Sequence, residues 1–324
     1  MKRVASRDHK EPSGPAIGPI LDAAVVVHDL DAATARYRDG FGWTVAAAGD
    51  SGPGGAAPWW TARVRTALVG PRTPSGVPGA VRLVECPEAI APDPLRWYGW
   101  TAIELCVRDV DSAIDRALDH DWTLLRAPDR LGAGTLPLVA GQIAGPDGEA
   151  VYLTQRLADV PGFDLPEPRQ DVDGVFIAVL GARDLEASRE ALESRYEVRR
   201  ASDRRSPIGV VNLTYGLPEG TTHRLSTLQL AGRTCIEIDQ LPPGATSRPT
   251  SPGGRCGRAG VAPPGGADVA TRGEPATPGE PAAPVGGVVA VTVAARVAAP
   301  ELIELPDGAQ LWLRPESPNS WDTS

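Results

Sequence analysis

Short runs of β-branched and small apolar residues alternate along the chain with Ala-rich stretches whose apolar positions fall three or four apart. The runs read as buried strands and the stretches as helices packed on them. One run, Ala23-Ala24-Val25-Val26-Val27, ends in Asp29-Leu30-Asp31. A second, Ile103-Glu104-Leu105-Cys106-Val107, ends in Asp109-Val110-Asp111, 80 positions later, and a third ends in Asp184-Leu185-Glu186, 75 beyond that. In each trio the first acid suits a helix N-cap and the second lies in the first turn, where the macrodipole favours negative charge. The pattern predicts helices over 32–38, 112–120 and 185–193, each following a strand. The rest of each copy, for example 135–155, reads as short strands between Gly and Pro turns.

A second repeat marks the unit ends. Pro146-Asp147-Gly148, a tight-turn tripeptide leading into an apolar strand, recurs as Pro306-Asp307-Gly308, 160 positions on. Two double units are therefore expected: an N-terminal tail over 1–17, a first domain over 18–158 (units 18–90 and 97–158), a Pro-rich linker over 159–170, a second domain over 171–315, and a tail over 316–324. The repeat places the fourth unit's opening strand and helix at 262–278. There, residues 241–285 hold 19 Gly or Pro in 45 positions, too many for a strand or helix. The segment is expected to be disordered, whether as a natural low-complexity insertion or a local frameshift.

Composition narrows the function classes. A formal net charge of −9 over 324 residues argues against nucleic-acid or anionic-membrane partners, which need clustered Lys and Arg. No apolar run reaches the roughly 18 residues of a membrane span, and the first ten residues carry charges without an apolar core. The expected location is the cytoplasm, with reduced thiols at Cys86, Cys106, Cys235 and Cys256. The four histidines make a His-rich metal centre a poor expectation.

Strand, Asp-Leu-Asp, short helix, then three strands closing in Pro-Asp-Gly resembles the vicinal oxygen chelate superfamily of glyoxalases, bleomycin-resistance proteins and extradiol dioxygenases. Asp22 to Ala33, Tyr37 and Gly40-Phe41-Gly42-Trp43 are similar to the opening pattern of that superfamily, and Thr234 to Gln240 to a closing strand. The resemblance implies an α+β fold of tandem βαβββ units forming two cupped, incomplete barrels, the second domain incomplete. It also allows a homodimer.

The resemblance further implies a metal held by residues on the first and last strands of units. The first-strand positions map to Asp22, Ala102 and a site near Gly174; the closing-strand positions map to Arg82, Tyr152, Glu237 and Trp312. Alanine offers no donor and a guanidinium repels a cation, so no metal and no other cofactor is expected. Alternation then groups Asp22, Ala24 and Val26 on one face; Ala102, Glu104 and Cys106; Arg82, Val84 and Cys86; and Ala150, Tyr152 and Thr154. If the first two units share a cup, it holds Asp22, Arg82, Glu104 and Tyr152. In the functional reading Arg82 binds a substrate carboxylate, while Glu104 or Asp22 moves a proton and Tyr152 donates to an oxyanion. In the bland reading Arg82 merely pairs with the acids. Trp60 and Trp100 are candidates to stack on a flat ligand; His28, His223 and the strand cysteines are weaker candidates.

The expected function is metal-independent binding, extending to isomerase-, lyase- or cyclase-type conversion, of a small carboxylated or aromatic metabolite in the first domain. The alternatives are a non-catalytic, resistance-type binding protein and, if the ligand mapping fails, a metal-dependent glyoxalase or dioxygenase.

Overall fold

A computed structural model describes residues 15–51, 63–72, 78–132, 134–248 and 286–315. Unit one comprises β1 (Ile17–Val27), α1 (Leu30–Phe41), β2 (Thr44–Ser51), β3 (Val64–Gly70) and β4 (Ala80–Glu85). Unit two comprises β5 (Gly99–Val107), α2 (Val110–Leu118), β6 (Thr123–Arg130), β7 (Leu138–Ala144) and β8 (Ala150–Arg156). Unit three comprises β9 (Val172–Ala182), α3 (Leu185–Glu193), β10 (Arg199–Pro207), the added helix α4 (Gly209–Thr214), β11 (Thr222–Gln229) and β12 (Cys235–Gln240). Unit four comprises β13 (Gly287–Ala295), β14 (Glu301–Glu304), a 3₁₀ turn over Pro306–Gly308 and β15 (Gln310–Pro315).

The caps form as the sequence requires. Asp29 accepts from the Asp31 and Ala32 amides, each at 2.9 Å. Asp109 accepts from Ser112 at 2.8 Å, and Asp184 from Glu186 at 3.0 Å. Each capped helix begins two or three residues after a strand, so it folds back onto its own sheet.

The pairing of units departs from the expectation. One sheet runs β14-β15-β13-β1-β4-β3-β2, joining unit one to unit four; the other runs β10-β11-β12-β9-β5-β8-β7-β6, joining unit two to unit three. Within every unit the first strand lies parallel to the last, and the first strands of paired units run antiparallel, β1 with β13 and β5 with β9. The two half-barrels therefore combine unit one with unit four and unit two with unit three, rather than one with two and three with four.

The sheets pack back to back. Ala23, Val25 and Val27 of β1, Ile103 and Leu105 of β5, Ala178 and Leu180 of β9, and Val291 and Val293 of β13 share one core with α1, α2 and α3. Alternate residues face the cups: Ala24 and Val26 in one, Ala102 and Cys106 in the other. The four first strands are thus buried on both faces, which is why they read as nearly continuous apolar runs. Tyr37, Phe41, Trp43 and Trp122 fill the gap between units one and two with ring centroids 5.0–5.9 Å apart. Each such buried ring is worth roughly 2–3 kcal/mol of apolar burial.

Further corrections concern the second half. The first described strand of the fourth unit is β13 at 287–295, and positions 262–278 lie outside the described residues. Residues 241–248, expected to be disordered, are paired: Leu241 donates to Ala182 O, and Thr246 exchanges hydrogen bonds with Arg96 and Tyr98. The remainder of the Gly/Pro-rich segment, 249–285, lies outside the described residues. The stretch read as a linker is packed, with Val160 and Leu165 buried. Cys86 is disulfide-bonded, against the reduced state expected for the thiols; Cys106 and Cys235 are free and buried. Among the described residues no helix is long and apolar enough to cross a membrane.

Candidate functional site

A cavity of about 470 Å³ occupies the cup of units two and three. Its floor is a row of polar side chains delivered by neighbouring strands in register. Gln142 on β7 stands opposite Tyr152 on β8, and Tyr152 opposite Glu104 on β5. Across β9, Glu237 on β12 stands opposite Thr227 on β11. Arg204 reaches in from β10. Leu136, Leu138, Val160, Phe163, Leu165 and Ile177 supply apolar wall. Ile208 and Val210, at the start of α4, also line the cavity.

The floor is electrostatically strained. Glu104 is fully buried, and the side-chain hydroxyl of Thr154 donates to it. Burial first, and then the nearby Glu237 carboxyl, push Glu104 up to about 8. Glu237 is raised by burial, with Arg204 and a 3.4 Å bond from Thr227 opposing the shift. Asp239, two positions along the same face of β12, is raised well above the carboxylate range by burial and by both glutamates. Burial and these three acids also hold the Tyr152 phenol well above its usual value, so it remains a neutral donor. The same setting raises the Cys106 thiol to about 12 and raises Cys235 as well, both chiefly through burial. Neither is a ready nucleophile.

Four buried polar atoms in and behind this floor have no partner among the described residues: Tyr152 Oη, Gln142 Oε1, Arg204 Nε and Asp239 Oδ1. Such atoms are costly unless a ligand or water meets them.

The expected site residues divide between the cups. Glu104 and Tyr152 line this cavity together. Asp22 and Arg82 lie in the other cup, joined by a two-point ion pair at 3.1 and 3.2 Å, and Thr292 of β13 donates to Asp22 at 3.2 Å. Arg82 is therefore engaged by Asp22 and stands apart from Glu104. Trp100 belongs to the shared core, 2% exposed, with Nε1 donating to Gln310 O at 2.8 Å. A register irregularity between Trp100 and Ala102 breaks the alternation that would have turned its ring into the cup. Trp60 lies outside the described residues. His28 is exposed at its strand end. His223 is bound at 2.6 Å to Asn212 Oδ1, whose amide nitrogen donates to Glu219 O and Thr221 O; it anchors α4.

Gln142, Thr227 and Arg204 escaped sequence reading. Strand alternation would have placed each on a cup face, but only the pairing of β7, β11 and β10 shows that they share a cup with Glu104.

The positions that would hold a divalent ion do not fit one. In the cavity they are Ala102, a neutral Tyr152 phenol and Glu237, with Gly174 on β9. In the other cup they are an Asp22 already held by a guanidinium, Arg82 itself and Trp312. Among the described residues no group of three His, Cys, Asp or Glu side chains is arranged to hold a metal.

Three βαβββ-type units, a fourth represented by three strands among the described residues, and two back-to-back half-barrels define a vicinal-oxygen-chelate-type fold. Residues 19–153 match the model of the Glyoxalase/Bleomycin resistance protein/Dioxygenase superfamily. Glyoxalase I from Zea mays superposes with a TM-score of 0.53 at 15% identity, covering 91% of each chain. A provisionally named dioxygenase from Bacillus subtilis superposes with a TM-score of 0.55 at 11% identity, covering 94% of this chain and 87% of its own. At such identities the likeness is one of fold. No curated protein matches the chain.

Proposed function

We propose that the chain binds a small organic molecule in the cup of units two and three, without a divalent metal ion. The observation that carries this reading is the 470 Å³ cavity with the unpartnered Tyr152 hydroxyl and Gln142 carbonyl in its floor. Apolar walls with a few convergent polar groups are the usual make-up of a small-molecule site. Retention of a substrate carboxylate by Arg82 finds no support, because Arg82 is neutralised by Asp22 in the opposite cup. Any conversion of the bound molecule falls to Glu104 and Tyr152, the carboxyl and phenol that meet in the floor; a carboxyl near 8 is suited to moving a proton at neutral pH.

The test combines native mass spectrometry of the purified protein with a thermal-shift screen of small molecules. The screen compares the wild type with Ala140→Phe, which fills the cup from β7. The expected result is no stoichiometric metal and compounds that stabilise the wild type but not the filled variant. One divalent ion per chain, or equal stabilisation of both proteins by every active compound, overturns the reading.

A further inference from the structure

The floor of the cavity is unbalanced in its hydrogen-bonding inventory. Acceptors outnumber donors. Gln142 Oε1 and Asp239 Oδ1 are buried without partners. Among the described residues, Glu104 has Thr154 as its side-chain donor, and Glu237 has one long bond from Thr227. The unpartnered donors are the Tyr152 hydroxyl, which also accepts, and Arg204 Nε, whose guanidinium is turned to Ser202 at 2.8 Å.

Charge shows the same imbalance. Among the described residues, three carboxyls, Glu104, Glu237 and Asp239, stand against one half-buried cation, Arg204, which acts on Glu237 and Asp239. Among the described residues no cation contributes to the environment of Glu104; its neighbours there are Glu237 and Asp239 on β12, the Tyr152 phenol on β8 and the free thiols Cys106 and Cys235. The other arginines at the cavity are at its rim. Arg126 is held by Asp129 at 2.9 Å and Glu219 at 3.4 Å, and Arg130 is exposed. A ligand that completes this floor must bring hydrogen-bond donors and positive charge to Glu104, and an apolar body to the Leu138, Phe163 and Ile177 walls. An alkylammonium supplies three donors on one charged centre. A carboxylate would add a fourth acid to the floor and leave every acceptor unmet.

We infer that the cavity takes a primary amine carried on an apolar, ring-sized body, its ammonium seated at Glu104 within reach of Tyr152 and Gln142. This rests on the cup of units two and three being the ligand site. Glu104, the floor carboxyl without a cationic neighbour among the described residues, is the specificity determinant, and Glu237 with Arg204 forms the far side of the floor.

The experiment is isothermal titration calorimetry with three matched indole probes: tryptamine, tryptophol and indole-3-acetate. Tryptamine is expected to bind at least tenfold tighter than the alcohol, with the carboxylate weakest. Glu104→Gln is expected to remove the tryptamine advantage and leave tryptophol unchanged. Should Glu104→Gln fail to fold, the wild type still decides the matter. Its tryptamine affinity must rise between pH 6 and pH 9, as Glu104 ionises while the ammonium keeps its proton, and tryptophol binding must stay flat. Tryptophol or indole-3-acetate binding as tightly as tryptamine overturns the inference and leaves the cup as the ligand site. Absence of binding by all three also overturns it. The wider reading falls separately, only if the screen against Ala140→Phe fails as well.

Discussion

Asp147 accepts a 2.7 Å hydrogen bond from the backbone amide of His28, so the closing turn of unit two is tied to the strand end of unit one across the two sheets. Asp307 does the same for unit three, accepting from the Arg183 amide at 2.9 Å. The two Pro-Asp-Gly turns are thus more than hairpin punctuation. Each joins one half-barrel to the other, so that units one and two, and units three and four, meet through these turns and the shared core instead of through strand pairing.

The two ties differ in burial, and their removal should differ in cost. Asp147 also binds Arg36 at 2.6 Å, and Arg36 reaches the fully buried Glu149 at 3.4 Å. Asp147→Ala strips a buried guanidinium of its nearer partner and should cost about 3–5 kcal/mol. Asp307→Ala, beside a largely exposed Arg183, should cost about 1 kcal/mol. Urea denaturation of the two variants checks the order.

In the opposite cup, Arg82→Ala should destabilise the fold, because it leaves Asp22 buried with Thr292 as its remaining side-chain donor. Adding Asp22→Asn should recover most of the loss. A double-mutant cycle on denaturation midpoints reads the coupling, and ligand binding in the cavity should not change in any of the three variants.

Stability should fall as pH rises across the neutral range. Glu104 is held at about 8 against an ordinary 4.5, and Glu149 at about 7, both chiefly by burial. The folded chain binds more protons than the unfolded chain between these values. The contribution of these two groups is therefore full below about pH 4.5 and is lost as pH rises through 7 and 8. Glu104→Gln removes part of the slope: its melting temperature should match the wild type near pH 5 and exceed it near pH 9. A wild-type melting temperature that climbs between those two points would contradict this.

The sheets approach closely where Gly79 meets Gly174. The Val175 amide donates to Gly79 O at 2.8 Å, and a Cβ on Gly174 would lie 2.8 Å from that same oxygen. Gly174→Ala should force the two layers apart and cost about 1–3 kcal/mol. Gly220→Ala, where a Cβ meets nothing within 4 Å, should be close to neutral, and comparative thermal unfolding separates the two.

The sequence by itself determined the local structure. Asp29, Asp109 and Asp184 fixed where helices begin, because an N-cap is satisfied within its own turn. Alternation correctly grouped Asp22 with Ala24 and Val26, and Glu104 with Cys106, because side-chain facing is a property of one strand. Only the tertiary structure decided which faces share a cup. The four first strands carry equivalent apolar patterns, so nothing local distinguishes β13 from β5 as the partner of β1. That one pairing separates Arg82 from Glu104, brings Glu237 and Arg204 into the floor beside Tyr152, and so fixes the charge the cavity presents. The same holds for Trp100, whose ring entered the core through a single irregularity between β5 and β9 that depends on the neighbouring strand.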